Sequence, residues 1–432
     1  MSHLVFVECS GLGNRALEYA RKKGHTTTLV WSPRYDFFAT PEQRRHSREL
    51  ADRAIRVEDP HDLPSVIAAL EAAGVRLADI DAALTTMHPC VVPAAALAEA
   101  AGARGTSRAG IDAARDKEAC RRILREQRIP SVEYAVVTEA GAALEAGERI
   151  GYPVVVKPVS GLAKTVTAMV HSPEEMADYF RQATARREAL EPGLAYHVDG
   201  RFIIEEVAVG PLFSVEVATD GTAFTVLAAV RRKTGRDNPV LELGSTVPSG
   251  LGPEDERGLG EYAVRVCRAL GLDLGIFHAE VILTRDGFRL VEVNPRVAGG
   301  TVPEVIRAAT DCDLFEVLVE LFEGNPVPAG PFPVRRAASH SFLAVDEEHT
   351  VRQDLPADWF EAFRPRLHSG SSSIAPGMRL APMDGNFTTH GVVRVTAEGF
   401  TEAEAKVAGI RAEIGKLLDL ALTPVAPSEV PS

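Results

Sequence analysis

The segment 290–300, LVEVNPRVAGG, decides the fold of this chain. Its alternation predicts a strand that places two valines on one face and Glu292 and Asn294 on the other. A cation, Arg296, and a pair of glycines follow directly. A carboxylate and an amide on one face, with an arginine just past the strand, indicate a polar site at the edge of a sheet.

The preceding strand carries a second acid, Glu280, and the two strands form a hairpin around Asp286-Gly287. A two-residue turn would place Glu280 and Glu292 on opposite faces, whereas a three-residue turn with a left-handed Gly287 would place them directly opposite. Like charges that face each other destabilise a sheet, unless a divalent cation lies between them. We therefore predict an odd-length turn and a Mg²⁺ site of Glu280, Glu292 and Asn294. The alternative is a solvated sheet face with two unconnected glutamates.

The residues after the strand suit an anion. Arg296 offers a planar bidentate donor to phosphoryl or carboxylate oxygens. Gly299 and Gly300 let the backbone approach a ligand closely. Thr301 and Glu304 have capping-box spacing for a following helix, whose N-terminus would attract negative charge. The alternative is a plain joint between loop and helix.

Two lysines stand where a cation is costly. Lys157 ends the apolar strand PVVVK, where an ammonium needs an anion or a route to solvent. Lys117 lies in the first turn of its helix, where it opposes the macrodipole. A bound phosphate would remove both conflicts, and the alternative is a pair of surface lysines.

Two further segments are typical of nucleotide contacts. The stretch SGLAKT (160–165) would form a small phosphate-covering loop or an ordinary hairpin turn. The stretch FIIEEVAVG (202–210) opens from an apolar strand into two acids and free backbone groups. Such a segment offers hydrogen bonds to an adenine edge and carboxylates to its ribose or amino group.

The totals describe an ordinary globular protein of 432 residues, enough for roughly two to four packed units. The net charge of −13 argues against a general nucleic-acid binder. Five scattered cysteines without metal spacing favour the reducing cytoplasm. We expect no signal peptide and no membrane span, because no apolar run is long enough.

Strand and helix patterns divide the chain. Alternating strands and helices predict a doubly wound parallel sheet over 1–110. Consecutive strands predict an α+β unit over 111–330, with a mobile lid at about 130–205. A small α+β domain over 331–421 and a disordered tail over 422–432 complete the prediction. The stretch GIDAARDKEACRRILREQRIP reads as one amphipathic helix.

Five motifs in this order and spacing resemble the ATP-grasp superfamily of carboxylate–amine ligases. They are DK at 116–117, VVVKP at 154–158, IIEEVAVG at 203–210, HAE at 278–280 and VEVNPR at 291–296. The segments LELGSTVPSG and NPRVAGGTVPEVIRAAT are most similar to the L-amino acid ligase branch. The resemblance implies an ATP-grasp fold of the α/β and α+β classes, in which two α+β subdomains sandwich ATP.

The resemblance also implies roles for individual residues. The implied ATP contacts are Lys117, Lys157, Ser160, Gly161, Lys164, Glu205, Glu206 and Val207. The implied ligands of two Mg²⁺ ions, with Mn²⁺ as an alternative, are Glu280, Glu292 and Asn294, and the implied catalytic residues are Arg296 and Lys157. The implied substrate contacts are His88, Glu216, Glu242, His278, Gly299 and Gly300.

The implied reaction joins two small molecules. A substrate carboxylate would become an acyl phosphate, and an amine would then form an amide or peptide bond. Two positions depart from the family pattern. Leu212 replaces a ribose-binding glutamate, for which Glu206 or Glu216 could substitute, and His88 stands where relatives often carry a glutamate. A homodimer is common in such families.

Other readings remain open. Within ligases, the alternative is a carboxylase-like or purine-pathway enzyme that uses bicarbonate or formate. A second is a module that binds ATP without catalysis. From another class, GLGNRA (11–16) matches the dinucleotide fingerprint of an NAD-dependent oxidoreductase, although the second strand offers no acid before Asp36.

Overall fold

The computed structural model describes residues 1–161, 166–188, 200–383, 385 and 388–427. Within them the β-strands are β1 (His3–Val7), β2 (Thr26–Trp31), β3 (Arg53–Arg56), β4 (Ala82–Leu84), β5 (Tyr134–Val137), β6 (Val154–Pro158), β7 (Ala168–Val170), β8 (Phe202–Glu206), β9 (Leu212–Thr219), β10 (Phe224–Thr234), β11 (Glu242–Val247), β12 (Gly275–Thr284), β13 (Gly287–Asn294), β14 (Ala337–Phe342), β15 (His349–Thr350), β16 (Ser369–Ser372), β17 (Arg379–Leu380) and β18 (Gly391–Ala397).

The α-helices of the same residues are α1 (Asn14–Lys22), α2 (Pro41–Leu50), α3 (Leu63–Ala72), α4 (Val91–Ala101), α5 (Arg108–Arg115), α6 (Lys117–Glu126), α7 (Ala140–Ile150), α8 (Pro173–Glu188), α9 (Pro253–Ala269), α10 (Val302–Thr310), α11 (Leu314–Glu323) and α12 (Phe400–Leu418). Short 3₁₀ helices lie at Pro33–Phe38, Leu77–Asp79, His88–Cys90, Trp359–Ala362 and Arg364–Arg366.

The N-terminal unit is the predicted parallel sheet. Its strands lie in the order β3-β2-β1-β4, and each pairing is parallel. Strand β1 is apolar along its length because it lies in the interior of the sheet, and four of its five residues are buried. The prediction of a doubly wound parallel sheet at the N-terminus is confirmed.

The glycine turn that follows β1 packs against the loop after β4. The backbone N–H of Ser10 donates to the hydroxyl of Thr86, and a Cβ added at Gly13 would overlap that hydroxyl. A Cβ at Gly11 would meet the side chain of Gln43. Internal contacts therefore explain both glycines of GLGNRA, which weakens the dinucleotide reading of this motif.

We expect Gly13→Ala to destabilise the protein. The added methyl group must displace Thr86 in a packed turn, and such overpacking costs about 1–3 kcal/mol. Urea denaturation measures the change in the free energy of unfolding. Gly141→Ala in helix α7 is the matched control, since nothing lies within 4 Å of its added Cβ. Equal stability of the two variants would contradict the packing role.

The helix predicted over 110–129 is divided in two. Asp116 has an extended backbone (φ −86°, ψ 106°), and its side chain accepts a hydrogen bond from the N–H of Ala119. Asp116 therefore caps a new helix, α6, of which Lys117 is the first residue. The prediction of one continuous helix is wrong, because the aspartate competes with the helical backbone at this point.

Besides a two-stranded antiparallel sheet, β15-β17, two larger antiparallel sheets form the rest of the described fold. The smaller has the order β5-β8-β6-β7 and shares a hydrophobic core with helices α7 and α8. The larger has the order β13-β12-β9-β10-β11-β14-β18-β16, with α9 packed on one face and α10 and α11 on the other. The smaller sheet occupies the segment predicted as a mobile lid, and its mobility stays a prediction.

The C-terminal segment extends the large sheet. Strands β14, β18 and β16 continue it beyond β11, so residues 331–421 share a sheet with the preceding unit. The predicted disorder from residue 422 is wrong for its first residues. The N–H of Thr423 donates to Ala344 O at 2.9 Å, and that of Ala426 donates to Thr234 O at 2.9 Å. These backbone bonds hold the tail because it crosses buried strand ends.

Among the described residues, no α-helix is long and apolar enough to cross a bilayer. The cytoplasmic location and the homodimer stay predictions.

Candidate active site

The small and large sheets enclose a cleft with a cavity of about 170 Å³. Helix α6 contributes two cations to it, Lys117 and Arg121. The other charged residues of the lining are Lys157, Glu205, Glu206, Glu280 and Glu292. Its apolar residues include Val132, Val155, Met169, Val207, Leu212, Ile282 and Leu290. A cleft with a charged part and an apolar part suits a ligand that has both.

Glu280 and Glu292 lie directly opposite each other, as predicted. The structural feature that places them opposite each other differs from the prediction. Thr284 pairs with Gly287, so the turn has two residues, and the register shifts where Val291 is inserted between Leu290 and Glu292. The odd-length turn is therefore wrong: a β-bulge at Val291 supplies the extra residue that a three-residue turn would have supplied.

The bulge changes what Val291 does. It is half-buried at the cleft, not part of the core with Val293. Its carbonyl oxygen accepts hydrogen bonds from Arg121 Nη2 at 2.9 Å and from Lys157 Nζ at 3.4 Å. The bulged strand thus anchors two cations beside the facing glutamates.

The carboxylates fit a divalent cation. Glu280 is buried, and its Oε2 has no hydrogen-bond partner among the described residues. Asn294 Nδ2 donates to Glu292 Oε1 at 2.9 Å, and Lys117 Nζ lies 3.9 Å from Glu292 Oε2. A buried carboxylate oxygen without a donor is costly, and a cation would remove that cost.

The protein ligand set is small. The part of the chain that the structure describes has no group of three or more His, Cys, Asp or Glu side chains placed to hold a metal. Two carboxylates and the amide of Asn294 remain at the cleft. Such a set suits Mg²⁺ that takes its other ligands from phosphate oxygens and water, which is how Mg²⁺ is held at many nucleotide sites.

Glu205 is the centre of a buried ion cluster. Its oxygens contact Arg121 Nε at 2.8 Å and Lys157 Nζ at 2.7 Å, and all three side chains are at most 8% exposed. Burial opposes ionisation of this carboxyl, but Arg121 and Lys157 outweigh it and lower the pKa of Glu205 to about 2. The resemblance placed Glu205 among the ATP contacts, whereas Arg121 was not predicted.

Other predicted nucleotide contacts lie along the same cleft. Glu206, Val207 and Gly161 line it, and Ser160 follows strand β6 beside them. Burial lowers the pKa of Lys117, although the charge of Glu292 opposes this effect. The surroundings of Lys117 therefore hold too little negative charge to balance its ammonium group. Lys164 lies outside the described residues.

The two residues named for the missing ribose contact have different settings. Leu212 lines the cleft and is 8% exposed. Glu206 lines the cleft from an exposed position and accepts a hydrogen bond from the N–H of Glu133. Glu216 is fully buried behind β12, so its suggested role as the ribose contact is wrong, and Glu206 remains the candidate.

Glu216 binds protein groups with both oxygens. Its Oε1 lies 2.5 Å from His278 Nδ1, and its Oε2 accepts from the N–H of Ala298 at 3.3 Å. Burial disfavours a charged imidazole, but Glu216, together with Glu280, raises the pKa of His278 to about 9. Substrate binding by Glu216 stays a prediction, and in the structure both oxygens of this fully buried carboxylate contact protein groups.

Arg296 follows β13 and lies outside the lining of the nucleotide cleft. Its Nη1 donates to Val297 O at 2.7 Å, and it forms no ion pair with any residue that the structure describes. Burial lowers the pKa of Arg296, while Glu292, Glu216 and Glu280 raise it. A Cβ added at Gly299 would lie 3.5 Å from this guanidinium, an ordinary contact distance, so Gly299 adjoins Arg296 but the space there does not require a glycine. Gly300 has φ +59°, a conformation that favours glycine.

The capping box predicted for α10 is absent. Thr301 precedes the helix without a side-chain cap, and its hydroxyl lies 2.5 Å from Nε2 of His340. Glu304 instead forms an ion pair with Arg394 at 2.5 Å. The prediction is wrong because two residues of the C-terminal segment compete for the capping groups and tie the Gly299–Gly300 loop to strands β14 and β18.

The remaining predicted substrate residues lie outside the lining of the nucleotide cleft. Glu242 begins β11, is buried, and forms an ion pair with Arg232 of β10. His88 begins a 3₁₀ helix after β4, at the carboxyl edge of the parallel sheet. Loops at this edge are where ligands of open α/β sheets bind. Contact with substrate stays a prediction for both residues.

Comparisons with known sequences agree on one domain. Residues 150–304 match the family model of the ATP-grasp domain. Carnosine synthase 1 of Gallus gallus is 28% identical over 359 residues, which are 79% of this chain and 37% of the relative. The carbamoyl phosphate synthase large chain of Rubrobacter xylanophilus is 28% identical over 298 residues, 66% of this chain and 26% of the relative. The chain thus spans about a third of these relatives' length.

Solved structures share the fold across nearly the whole chain. L-amino acid ligase from Bacillus licheniformis has a TM-score of 0.75 at 18% identity and covers 96% of this chain and 98% of its own. The biotin carboxylase domain of the Hydrogenobacter thermophilus 2-oxoglutarate carboxylase, solved as a dimer with MgADP, has a TM-score of 0.67 at 16% identity, over 94% and 89% of the two chains. The chain therefore contains an ATP-grasp domain and adopts the ATP-grasp fold, which confirms the resemblance seen in its sequence.

Proposed function

We propose that this chain is an ATP-dependent ligase that activates a substrate carboxylate as an acyl phosphate and joins it to an amine. One observation carries the proposal: Glu280, whose buried Oε2 has no partner among the described residues, lies opposite Glu292 in a cleft that Lys117 and Lys157 line. Facing carboxylates with cations beside them match the charge pattern of a metal–nucleotide complex, in which Mg²⁺ and phosphate alternate.

The cleft suits ATP in both of its parts. Lys117 and Lys157 would contact the phosphates, and Lys157 is held in place by Glu205. The apolar lining around Val207 and Leu212 would receive the adenine, with the backbone after β8 free to bind its edge. Glu206 would reach the ribose from its exposed position at the end of β8.

Glu280 and Glu292, with Asn294, would hold Mg²⁺, and we propose two ions in the loaded enzyme. The metal supplies charge that offsets the phosphates. The protein's own part is to aim two carboxylates at one point and to keep the amide of Asn294 on the same face.

The first chemical step is transfer of the γ-phosphoryl group. A carboxylate oxygen of the substrate attacks the γ-phosphorus, the bond to the β-phosphate oxygen breaks, and ADP leaves. Arg296 has no ion pair among the described residues, so its guanidinium can donate to the phosphoryl oxygens as charge shifts.

The second step forms the amide. An amine attacks the acyl carbon, the bond to the phosphate oxygen breaks, phosphate leaves, and the amine loses a proton. The acyl phosphate survives only where water is kept out. The small β5-β8-β6-β7 sheet, which forms one wall of the cleft, is our candidate for the element that closes over it.

Amino acids are the substrate class that we favour. The sequence segment around LELGSTVP resembles the amino acid ligase branch, and the carnosine synthase of Gallus gallus, a 28% identical relative, supports the same class. A purine-pathway or carboxylase-like enzyme is the second candidate, because structures of both kinds share this fold.

A substrate screen tests this proposal. We expect phosphate release from Mg·ATP to require one carboxylate and one amine together, with a product mass equal to the pair minus water. Purified protein is incubated with pairs of amino acids, and phosphate and product mass are measured. Omission of either partner is the control, since the acyl phosphate alone supports little turnover.

The rival functions give different results in the same assay. Bicarbonate-dependent turnover without an amine would favour the carboxylase-like reading. Tight NAD binding with no turnover of ATP would favour the oxidoreductase reading. Binding of Mg·ATP that no pair of substrates turns over would contradict the ligase proposal.

A further inference from the structure

A second charged cleft lies between helix α1, helix α10 and the C-terminal strands. Its cavity is about 480 Å³, and it shares no lining residue with the nucleotide cleft. We name it the arginine cleft, after Arg15, Arg307, Arg336 and Arg394, which line it with His368. Guanidinium groups from three separate parts of the chain therefore converge on one cavity.

The carboxylates around this cleft leave an excess of positive charge. Asp313 pairs with Arg15, Asp311 pairs with Arg336 at 2.8 Å, and Glu304 pairs with Arg394 at 2.5 Å. The fourth cation, Arg307, forms no side-chain hydrogen bond or ion pair with a residue that the structure describes. The whole chain carries a net charge of −13, so this excess of positive charge is a local property of the cleft.

Arg394 supplies the cleft with a buried hydrogen-bond donor that neighbouring side chains hold in place. It is 5% exposed, its Nη2 binds Glu304, and its Nη1 binds Ser369. Its buried Nε–H has no partner among the described residues. A buried N–H without an acceptor is destabilising, and an oxygen atom of a bound ligand would remove that cost.

The pKa of His368 reflects the same positive electrostatic potential in the cleft. Burial, and then the charges of Arg394 and Arg336, hold the pKa of this imidazole below its usual value, against the weaker opposing effect of Asp311 and Glu304. The side chain is therefore neutral at physiological pH in surroundings that disfavour another cation. An anion is the ligand that such surroundings favour.

We propose that the arginine cleft binds a small dianion, either a phosphate ester or a dicarboxylate. Arg307 and Arg394 would be its main donors, because no described residue pairs with the Arg307 side chain or accepts a hydrogen bond from the buried Nε–H of Arg394. The site also bears on the loop beside Arg296. Glu304 lies in the first turn of α10, three residues after Thr301, so a dianion that competes for Arg394 acts on the residues that hold this loop.

Binding of two probes tests the site. Isothermal titration with inorganic phosphate and, separately, with succinate is carried out on the wild-type chain and on two variants. We expect Arg307→Gln to weaken binding about tenfold, since it removes a charge-assisted hydrogen bond whose strength is partly reduced by solvent at an exposed site.

The matched control is Arg21→Gln, because Arg21 is also an exposed arginine in the last turn of a helix. Its substitution should not alter binding. Binding of phosphate alone assigns the cleft to phosphate esters, and binding of succinate alone assigns it to dicarboxylates. Equal affinity in wild type and Arg307→Gln, or no binding of either probe to the wild-type chain, overturns the proposal.

Discussion

Glu292→Ala is expected to reduce ATP turnover by about 100-fold or more while the protein stays folded. The substitution removes one of two carboxylates that face each other at the cleft, and the residual ligand set of Glu280 and Asn294 holds Mg²⁺ poorly. The side chain of Glu292 is 30% exposed, so its loss leaves no large cavity. Phosphate release under saturating Mg·ATP and substrates measures the change.

Two comparisons separate this effect from a general loss of structure. Glu261→Ala, an exposed glutamate on α9, should keep wild-type turnover. The urea midpoint of Glu292→Ala should match that of the wild type. A higher Mg²⁺ concentration should recover part of its activity, because weaker ligands can be offset by mass action. Full activity of Glu292→Ala at low Mg²⁺ would disprove the metal assignment.

Glu205→Ala is expected to lower the free energy of unfolding by about 3–5 kcal/mol, because it leaves Arg121 and Lys157 as uncompensated buried charges. The same change removes the anchor that holds Lys157 beside the cleft, so affinity for ATP should fall as well. Chemical denaturation and nucleotide binding measure the two effects. Glu206→Ala is the matched control for the stability measurement alone, because the Glu206 carboxylate is exposed.

An acid titration is a second readout of this contact. The pKa of Glu205 is lowered from 4.5 to about 2 in the folded protein, so its stabilising contribution is complete above pH 4.5 and is lost as the pH falls towards 2. Glu205→Gln should lack this part of the acid dependence. Identical stability of Glu205→Ala and Glu206→Ala would show that the buried cluster contributes nothing.

The paired glutamates show how far local pattern reaches. The alternation of LVEVNPR and the need to neutralise two acids predicted that Glu280 and Glu292 share a face, which the strand register confirms. The bulge could not be predicted from the sequence, because valine, the residue at position 291, is common in regular strands. The shift in strand register identifies the bulge, and the hydrogen bonds that Arg121 and Lys157 donate to its carbonyl connect it to the site.

Arg121 is the clearest omission. It lies one turn after Lys117 on a helix rich in arginine, where an arginine is typically solvated. Its burial comes from the packing of α6 against strands that lie 84 and 170 residues further along the chain. No periodicity within the helix distinguishes this arginine from its exposed neighbour Arg122.

Thr301 and Glu304 show local preference overridden by packing. Their spacing is that of a capping box, and a cap contributes only about 1 kcal/mol. His340 and Arg394 offer these side chains stronger partners from the C-terminal strands. The local signal was present in the sequence, and distant residues outweighed it.

By itself, the sequence determined the fold class, the order of the units and the residue types that face the cleft, because these depend on spacing within single strands and helices. The tertiary structure alone decided which charges pair, where the bulge lies and which residues hold the loop after Arg296. Those outcomes depend on burial and on partners from distant parts of the chain, and a buried charge takes the partner that packing brings to it.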